Sequence, residues 1–435
     1  MILPKPLSAL RVPYHIWKLK KSQYQRTSDL TKAQSKKLRK MVEHAYYHVP
    51  YYHFLFKNAK IHPRDIKSLT DLAKLPTVCK SEFVQNWGKF VSNTTNPGKC
   101  KIFTTSGSTG TPLRVLKDRV TEAIGYSLTY YMFFECGMHF DDRFLEATIA
   151  FPNLRECIFR HGPFNLMKGY YVSLVNDSAY IVKKIHKIKP DVIYSYPTTI
   201  EYLLEDFGDE MRDLNPKLLF TQGEMLTEKC RKLIEDTLNI IPSNTYGSRE
   251  FPAIAFECDK HEGLHVLNDW IVLELMRDGE VVGPGEKGET VVTSLYNYAM
   301  PFLRYRLGDI ASWEEDTCTC GRSWPLLKAI EGRVSDFITL PSGTRIQGTV
   351  VPVYLRRIPG VKRFQMIFQE SKTRLLIKVV CDDNVQEEDM ENLRGRLIHQ
   401  ARLACLNEDL NIEVSFVSAI PPQPSGKNPD LVVER

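Results

Sequence analysis

Residues 104–112 gather hydroxyl side chains and glycines into one short run, Thr-Thr-Ser-Gly-Ser-Thr-Gly-Thr-Pro. Glycines let a backbone approach a polyanion closely, and hydroxyl groups donate hydrogen bonds to phosphate oxygens. The run lies between apolar residues at 102–103 and at 113, 115 and 116, so we expect a hairpin loop between two short strands. Its residue types predict a phosphate-binding loop, formed by Thr104, Thr105, Ser106, Gly107, Ser108, Thr109 and Gly110. It is not a P-loop, because no lysine follows Gly110 in the register of that motif. Alone, such a cluster is more often a flexible surface loop, so the prediction depends on the motifs that follow it.

A second stretch, at residues 244–250, combines an aromatic ring, a glycine and a carboxylate. Tyr246 offers a flat apolar face to a purine base, and Gly247 permits close backbone contact. Glu250 can hold a magnesium ion that bridges phosphates, because Mg²⁺ prefers oxygen ligands. These residue types in this order predict a nucleotide site, although a lone Tyr-Gly-Ser carries little information.

Cysteines and histidines form a third group. Cys258 and His261 have Cys-x-x-His spacing, and Cys318 and Cys320 flank a single residue. Three thiolates and one imidazole match a closed tetrahedral zinc site, which would be structural because it leaves no open position. His265 could replace His261 as the fourth ligand. The alternative is that these are ordinary reduced cysteines and surface histidines.

The chain that carries these stretches has 435 residues, a length that favours two or three domains. Its 43% hydrophobic and 25% charged residues are ordinary for a soluble globular protein and argue against disordered and fibrous classes. The first residues lack the apolar core of a signal peptide, and no apolar run approaches the length of a membrane span. We therefore expect a cytoplasmic location.

Positive charge is concentrated at the start of the chain. Residues 1–40 contain eleven lysines and arginines against one acidic residue, Asp29. Such a segment could contact an anionic membrane surface, an acidic partner or nucleic acid, or it could be a solvated helical face. Nucleic acid is disfavoured, because no motif that reads nucleic acid accompanies the charge. We expect no nucleic-acid partner, and a peripheral membrane contact stays open.

Helical and strand patterns alternate between the first two stretches. The predicted elements are helices at 120–136 and 181–188 and strands at 144–151, 191–196 and 218–221. Such alternation implies crossover units and largely parallel sheets, in which ligands collect at the carboxyl ends of strands. The loops at 104–112, 195–199 and 222–225 should therefore share one face.

Two further features carry a family resemblance. A predicted helix ends in His-Val-Pro-Tyr-Tyr at 48–52, and Leu-Thr-Asp-Leu-Ala-Lys-Leu-Pro-Thr follows at 69–77, before Lys80. This opening, followed by the 104–112 loop and the 244–250 stretch, resembles the phenylacetate–CoA ligase branch of the adenylate-forming enzymes, including relatives in capsular polysaccharide biosynthesis. The resemblance covers nearly the whole chain beyond the basic segment. Arg249 departs from the small residue that often stands at its position in the family.

The resemblance assigns roles to further residues. Asp309 and Arg333 match the residues that hold the ribose hydroxyls of the nucleotide, a role that suits a carboxylate and a guanidinium. Lys427, in the terminal Ser-Gly-Lys, matches the mobile catalytic lysine. Surface salt bridges and a solvated lysine are the alternatives. The implied ATP contacts outside the phosphate-binding loop are Gly223, Glu224, Tyr246, Gly247, Ser248, Asp309 and Arg333.

The implied fold is α/β, with a large N-terminal adenylate-forming domain of crossover β/α sheets and a small C-terminal α+β domain. Residues 1–335 would form the AMP-binding domain and begin with a basic helical segment at 1–40. Residues 336–435 would form a mobile domain that carries Lys427, and their pattern predicts strand, strand, helix, strand. The hinge would lie near Ser335, where many relatives carry an acidic residue instead.

The implied activity is ATP-dependent activation of a carboxylic acid as acyl-AMP, followed by acyl transfer to coenzyme A. Lys427 and Glu250 would be catalytic, with Mg²⁺ on Glu250 and zinc in a structural role. Tyr194, Tyr196 and Pro197 would line the acyl pocket, and the aromatic rings indicate an aryl or bulky acid. Aromatic side chains are, however, more often core.

Two alternatives to this activity stay open. The acyl acceptor could be an amine or a sugar in capsule or glycan biosynthesis rather than coenzyme A. The chain could also be a non-catalytic nucleotide-binding partner in glycan assembly, in which case its motifs should be damaged. Lys427, Glu250, Asp309 and Arg333 are all present, which favours catalysis.

Overall fold

The structure is a computed structural model, and it divides the chain into two compact units. The larger unit ends at Glu331, and the smaller consists mainly of residues from Gly332 onward. The predicted hinge near Ser335 lies outside the described residues. These are 11–105, 112–148, 157–161, 167–173, 178–333, 337–342, 345–347, 355, 358–369, 371, 373–382, 384–405, 407–421 and 430–434.

The helices of the larger unit follow the predicted pattern, with ends shifted by a few residues. Pro50 illustrates the cause: the preceding helix ends at His48, and Pro50 then starts the next one, because proline is compatible only with the first turn of a helix. The helices are α1 (Arg11–Ser22), α2 (Thr27–His48), α3 (Pro50–Asn58), α4 (Lys80–Gln85), α5 (Trp87–Phe90), α6 (Arg119–Glu135), α7 (Ser178–Ile188), α8 (Pro197–Met211) and α9 (Glu228–Leu238).

The strands of the larger unit alternate with helices between residues 167 and 246, and after residue 246 its described elements are successive strands. They are β1 (Lys101–Thr104), β2 (Arg114–Lys117), β3 (Phe144–Thr148), β4 (Cys157–His161), β5 (Met167–Ser173), β6 (Val192–Ser195), β7 (Leu218–Gln222), β8 (Ser243–Tyr246), β9 (Ala255–Glu257), β10 (Leu264–Val266), β11 (Ile271–Arg277), β12 (Glu280–Val281), β13 (Lys287–Ser294), β14 (Tyr305–Trp313) and β15 (Leu326–Arg333).

Within the described residues, thirteen of these strands form one sheet in the order β12-β11-β13-β14-β15-β10-β9-β8-β7-β6-β3-β5-β4. Strands β5, β3, β6, β7 and β8 run parallel to their neighbours in that series. Pairing is antiparallel from β8 through β9 and β10 to β15. It is also antiparallel from β14 through β13 and β11 to β12. The predicted parallel sheet is thus confirmed, and its carboxyl edge carries the ends of β3, β6, β7 and β8.

Strands β1 and β2 form a separate antiparallel hairpin, as the sequence predicts. Thr104 pairs with Arg114, and the Thr105 amide donates to the Leu113 carbonyl at 2.9 Å. The Leu113 amide in turn donates to the Thr105 hydroxyl at 2.9 Å. The hairpin therefore closes at Thr105 and Leu113, and the rest of the predicted phosphate-binding loop, residues 106–111, lies outside the described residues.

A stack of aromatic rings fixes the start of β14 against α4 and α5. The Phe83 ring lies 3.7 Å from that of Phe90 and 4.6 Å from that of Phe302, centroid to centroid, and both pairs are stacked. Tyr305 meets Phe83 edge-on at 5.3 Å. Offset and edge-on contacts of this kind add to the burial of apolar area. The segment that leads to Asp309 is therefore held by the early helices.

The basic N-terminal segment is an ordered part of the larger unit from residue 11. Val12, Ile16 and Leu19 form a buried stripe on α1, at the spacing of one helical face. In α2, the Gln34 amide donates to the Ile271 carbonyl at 2.6 Å. Among the described residues, the structure contains no helix with both the length and the hydropathy required to cross a bilayer.

The smaller unit is an α+β module, as predicted. Its described strands are β16 (Phe337–Thr339), β17 (Arg345–Gln347), β18 (Val361–Gln369), β19 (Arg374–Cys381), β20 (Asn411–Phe416) and β21 (Leu431–Glu434), and its helices include α10 (Met390–Ala404). Four strands form a sheet in the order β20-β19-β18-β21 among the described residues. Helix α10 contributes Leu393 and Leu397 to a buried core with Ile377 of β19.

Candidate functional site

The Tyr246–Glu250 segment follows β8 at the carboxyl edge of the parallel strands. Tyr246 is buried, and its hydroxyl donates to Asp309 Oδ2 at 2.7 Å. Gly247 is required because a Cβ there would lie 2.6 Å from the Pro252 carbonyl oxygen. The Ser248 amide donates to the Phe251 carbonyl at 2.7 Å, which closes the turn that presents Glu250.

Glu250 is buried and is held by a residue of a different motif. The Tyr305 hydroxyl, at the start of β14, donates to Glu250 Oε1 at 3.0 Å. The Tyr246 segment and β14 are thus joined twice, by Tyr246 to Asp309 and by Tyr305 to Glu250. A carboxylate has about four lone-pair positions, so Glu250 retains acceptor capacity after the Tyr305 bond.

The structure therefore brings together residues that the sequence predicts for adenine, ribose and magnesium. These residues come from two motifs. Tyr246 and Glu250 lie in one, and Asp309 lies in the other, 63 positions after Tyr246. Thr290 adds to the same group, since its hydroxyl donates to the Asp309 carbonyl oxygen at 3.2 Å. Thr290 carries no motif, and only the pairing of β13 with β14 brings it here.

Several predicted nucleotide residues cannot be placed in this group. Thr104 ends β1 and is exposed, and Thr105 closes the hairpin. Arg333 is the last residue of β15, and its side chain lies outside the description. The residues that fall wholly outside the described ranges are Ser106, Gly107, Ser108, Thr109, Gly110 and Lys427. Their predicted roles remain predictions.

Gly223 and Glu224 follow β7 at the same edge. Gly223 has a φ of +74°, in the left-handed region that favours glycine. Glu224 Oε2 accepts hydrogen bonds from the Thr198 hydroxyl at 2.6 Å and from the Thr198 amide at 3.3 Å. Thr198 lies in the first turn of α8, where a carboxylate is stabilised by the helix dipole. Glu224 thus joins the β7 loop to the start of α8.

The predicted acyl-pocket residues lie at the end of β6. The Tyr194 hydroxyl donates to the Gln222 side-chain oxygen, and its ring lies 5.2 Å from that of Phe133. Tyr196 precedes α8, and Pro197 occupies the first turn. Burial raises the pKa of Tyr196 to about 12, while the positive charge of Arg249 acts in the opposite direction. Arg249 thus lies within electrostatic reach of the predicted pocket.

Glu146 is a residue of this region that sequence reasoning missed. It lies in β3, and its register partners on the two flanking strands are Tyr171 and Tyr194. Burial raises the pKa of Glu146, and the Arg249 guanidinium opposes that shift. An available signal was the lone carboxylate in the otherwise apolar strand Phe-Leu-Glu-Ala-Thr. The predicted aromatic pocket is therefore also polar.

Three cysteines and one histidine form a compact group that begins at Cys258, the residue after β9. Cys258, His265, Cys318 and Cys320 each offer one ligand atom, and these atoms all lie within 4.8 Å of one another. The Cys258 and Cys318 sulfurs are 3.6 Å apart, and Cys320 Sγ lies 3.3 Å from His265 Nε2. Burial lowers the pKa of His265 to about 4, so its imidazole is neutral and able to bind a metal.

His261, the first-choice fourth ligand, lies outside this group, and His265 takes its place. The His261 amide donates to the Cys258 carbonyl at 3.1 Å, which places His261 in the turn between β9 and β10. Its Nδ1 lies 3.5 Å from Glu257 Oε2 instead. The antiparallel pairing of His265 with Phe256 brings His265 back beside Cys258. Strand register, rather than Cys-x-x-His spacing, selects the histidine.

The loop that follows Cys320 is tied to the N-terminal segment. The Arg322 guanidinium donates to Gln23 Oε1 at 2.6 Å and to Glu135 Oε2 at 2.7 Å. The Ser323 amide donates to the Gln23 carbonyl at 2.8 Å. Lys20 also pairs with Glu135 at 3.2 Å. The helix that begins the described chain thus supports the cysteine loop.

Comparison with known proteins agrees with the predicted resemblance. A family model described as the CapK C-terminal domain matches residues 338–434. The phenylacetate-coenzyme A ligase of Thermus thermophilus is 26% identical over 361 residues, 78% of each chain. Protein CapK of Staphylococcus aureus is 21% identical over 395 residues, 87% of this chain and 85% of its own.

Solved structures give the same fold. A crystal structure of 2-hydroxyisobutyryl-CoA ligase in the postadenylation state, in complex with 2-HIB-AMP, has a TM-score of 0.76 and 19% identity. The match covers 96% of this chain and 92% of that one. The adenylate-forming fold predicted from the motifs is therefore confirmed, as is the relationship to phenylacetate–CoA ligases and the capsule protein.

Proposed function

We propose that this relative of the phenylacetate–CoA ligases is an ATP-dependent, AMP-forming ligase that activates a carboxylic acid and passes the acyl group to coenzyme A. The observation that carries the proposal is the hydrogen bond of 2.7 Å between Tyr246 and Asp309. It joins the predicted adenine and ribose residues at the carboxyl edge of the sheet, beside the buried Glu250. Relatives that match most of this chain are named as ligases of the same reaction class.

In the proposed first step, an oxygen of the substrate carboxylate attacks the α-phosphorus of ATP, and pyrophosphate leaves. Tyr246 would stack on adenine, while Asp309 and Arg333 hold the ribose hydroxyls. The loop at 104–110 would hold the departing pyrophosphate, and Lys427 would contact the α-phosphate. Negative charge grows on phosphoryl oxygens during this step, so preorganised cations and donors supply the catalysis.

Glu250 is the residue we propose for Mg²⁺, together with ATP oxygens. A buried carboxylate whose second oxygen remains available after the Tyr305 bond fits the oxygen-ligand preference of this ion. When bound, Mg²⁺ neutralises polyphosphate charge. The role of the protein is to fix the Glu250 carboxylate. The turn closed by Ser248 positions its backbone, and the Tyr305 hydroxyl holds one carboxylate oxygen.

In the proposed second step, the thiol of coenzyme A attacks the acyl-AMP carbonyl. A thioester forms, AMP leaves with the electrons of the acyl–phosphate bond, and the thiol proton goes to solvent. The smaller unit would rotate about the hinge near Ser335 between the two steps, which removes Lys427 from the site. Hinge motion of this kind lets one site serve two reactions.

An amine or sugar acceptor is the second candidate function. Protein CapK matches a larger share of this chain, 87%, than the Thermus ligase does, 78%. The C-terminal match is likewise to the CapK model. An enzyme of capsule or glycan synthesis would form the same acyl-AMP and then transfer it to nitrogen or oxygen. A non-catalytic nucleotide-binding partner in glycan assembly is the third reading.

The residues of the predicted acyl pocket favour an aryl or bulky acid that carries hydrogen-bonding groups as the substrate. Tyr194 and Tyr196 offer aromatic faces, whereas Glu146 and Arg249 add a carboxyl and a cation to the same region. A purely apolar acid would remove water from these groups without giving either of them a hydrogen bond. A hydroxy- or amino-substituted aryl acid would satisfy them.

We further propose that the Cys258, His265, Cys318 and Cys320 group binds structural zinc. Three sulfurs and one neutral imidazole fit a tetrahedral zinc site, and the four atoms lie close enough for one ion to contact them all. When bound, zinc would supply folding free energy rather than reactivity. Metal analysis of the purified protein should give one zinc per chain.

A peripheral membrane contact through the N-terminal segment has structural support. The outer face of α1 exposes Tyr14 and Trp17, at 56% and 53%, while Val12 and Ile16 are buried on the inner face. Lys21 Nζ lies 4.1 Å from the Trp17 ring. Exposed aromatic rings beside basic residues suit an anionic lipid surface. The proposed cytoplasmic location is compatible with this contact.

Co-sedimentation with vesicles tests the membrane contact. The wild type should bind vesicles that contain phosphatidylglycerol and not those of phosphatidylcholine alone, and the double variant Tyr14→Ala, Trp17→Ala should lose that binding. Binding of the wild type to duplex DNA with steep salt dependence, without binding to either vesicle, would instead assign the charge to nucleic acid.

Pyrophosphate release tests the main proposal. Wild type and Lys427→Ala are compared with ATP and Mg²⁺ across aryl, hydroxyaryl, fatty, amino and uronic acids. Release that depends on one acid, and that falls about 10²-fold or more in the variant, supports adenylation. Addition of coenzyme A, amines or sugars then identifies the acceptor. ATP binding without release for any acid would favour the non-catalytic reading.

A further inference from the structure

Lys117 is a buried lysine that none of the motifs explains. It is the last residue of β2, at the open end of the hairpin that encloses the predicted phosphate-binding loop, and only 6% of it is exposed. Its Nζ donates to the Arg249 carbonyl oxygen at 2.7 Å. The hydrogen bond thus links the hairpin to the backbone immediately before Glu250.

Burial of this ammonium group is unfavourable by itself. Lysine is rarely buried unless it is paired, because its charge loses hydration. Burial lowers the pKa of Lys117 to about 8, and the negative charge of Glu250 acts against that shift. Its hydrogen-bond acceptor is a neutral carbonyl, and the Phe103 ring centroid lies 5.0 Å away. A methionine would fill the same space without this desolvation cost.

The strand that carries Lys117 is itself firmly attached. The Asn297 side-chain amide donates to the Leu116 carbonyl at 3.1 Å, and the Leu116 amide lies 3.4 Å from Met300 Sδ. Residues 297–300 precede β14, the strand that supplies Tyr305 and Asp309. Lys117 therefore reaches the Glu250 segment from a fixed position relative to the other residues of the candidate site.

We propose that Lys117 is a positioning residue of the nucleotide and magnesium site. It holds the Arg249 carbonyl, so that the next residue, Glu250, presents its carboxylate toward the metal, while the Tyr305 hydroxyl holds that carboxylate from the β14 side. Its positive charge also balances Glu250 in a site with little solvent. The inference rests on the proposed function, because it assigns Glu250 to the metal.

Lys101 provides a matched control within the same hairpin. It is the register partner of Lys117 on β1, but its ammonium pairs with Glu122 at 2.6 Å. Lys101→Met removes the same charge from the same hairpin without affecting the Arg249 carbonyl. A general effect of hairpin charge on ATP binding would appear equally in Lys101→Met and in Lys117→Met.

The experiment measures ATP affinity by calorimetry with Mg²⁺ and with EDTA, using full-length wild type, Lys117→Met, Lys117→Gln and Lys101→Met. With Mg²⁺, Lys117→Met should bind ATP about 10–100-fold more weakly, because a hydrogen bond from a charged donor is lost. With EDTA, its affinity should be close to that of the wild type. Lys101→Met should match the wild type under both conditions.

Lys117→Gln keeps an amide donor without the charge, and it replaces the methionine variant if that variant does not fold. The loss of ATP affinity in Lys117→Gln should also be confined to the Mg²⁺ condition. Equal loss with Mg²⁺ and with EDTA, or affinity unchanged in both Lys117 variants, would overturn the inference and leave the proposed function in place. Failure of the wild type to bind ATP under either condition would overturn both.

Discussion

The candidate nucleotide site and the cysteine–histidine group lie at opposite ends of the paired strands β8 and β9, and they are assembled in different ways. In the candidate nucleotide site, Tyr246 and Asp309 each lie inside a contiguous motif, and the fold brings the two motifs together. The Tyr246 hydroxyl therefore lies 2.7 Å from Asp309 Oδ2. In the cysteine group, the fourth residue is selected by the pairing of β10 with β9. Motif order was sufficient for the first site, whereas strand register was needed for the second.

The two sites also differ in what they leave available to a ligand. Glu250 accepts a hydrogen bond from Tyr305 at one carboxylate oxygen, and its other oxygen has lone pairs for a ligand. The four ligand atoms of the cysteine group face one another within 4.8 Å. We therefore expect changes in the first site to affect activity and changes in the second to affect stability.

The largest expected effect is that of Glu250→Gln on catalysis. The amide keeps the size of the side chain but removes the charge proposed for Mg²⁺, so the rate of pyrophosphate release should fall about 10²–10³-fold, or about 3–4 kcal/mol. The unfolding temperature, measured by calorimetry, should change little. A large loss of stability with little loss of rate per folded molecule would reverse the distinction between the two sites.

Cys318→Ala should produce the opposite pattern. Loss of a buried ligand should reduce bound zinc to near zero and lower the free energy of unfolding by about 3 kcal/mol, because loss of a metal is among the most destabilising changes. Metal analysis and denaturant unfolding provide the measurements. Folded variant protein should retain ATP affinity. Unchanged zinc content in this variant would exclude Cys318 as a ligand.

Tyr246→Phe sharpens the comparison inside the nucleotide site. The ring proposed to stack on adenine remains, but the hydrogen bond to the Asp309 carboxylate is lost. A hydrogen bond to a charged group contributes about 1.5–3 kcal/mol, so ATP affinity should fall about tenfold or more. Calorimetric titration with ATP measures the change. Affinity equal to the wild type would show that Asp309 does not need Tyr246 for its position.

His261→Ala should have the smallest effect of the series. His261 lies in the turn between β9 and β10, beside Glu257 and outside the cysteine group. Zinc content should match the wild type, and the free energy of unfolding should change by about 0.5 kcal/mol or less. His265→Ala, measured in parallel, should lose zinc. Equal zinc loss in both variants would restore the Cys-x-x-His interpretation.

Much of the fold was predictable because its elements are strongly patterned. The β1–β2 hairpin, the alternation of helices with parallel strands, and the α+β pattern of the smaller unit all follow from local periodicity and turn residues. Glu250 and Asp309 were predictable because they lie inside contiguous motifs. The histidine of the cysteine group was not, since the sequence between Cys258 and His265 does not specify where the turn ends.

Lys117 and Glu146 show a second limit of sequence reasoning. Each is a charged residue inside a short strand, and alternating strands commonly place such residues in solvent. Their burial depends on neighbours that arrive from distant parts of the chain, Arg249 for Lys117 and the Tyr194 strand for Glu146. Strand pairing and the packing around it, rather than residue type, determine that Lys117 is buried and Glu146 is partly buried.

The bond between Arg322 and Gln23 has a consequence for how the chain is made. The two residues are 299 positions apart, so at about 5–20 residues per second this bond can form only about 15–60 s after Gln23 is synthesised. Helix α1 can pack sooner, because its Lys20 pairs with Glu135 of α6, which follows after about 6–23 s at the same rates. The cysteine loop is therefore attached late in synthesis to a helix pair that can already have formed.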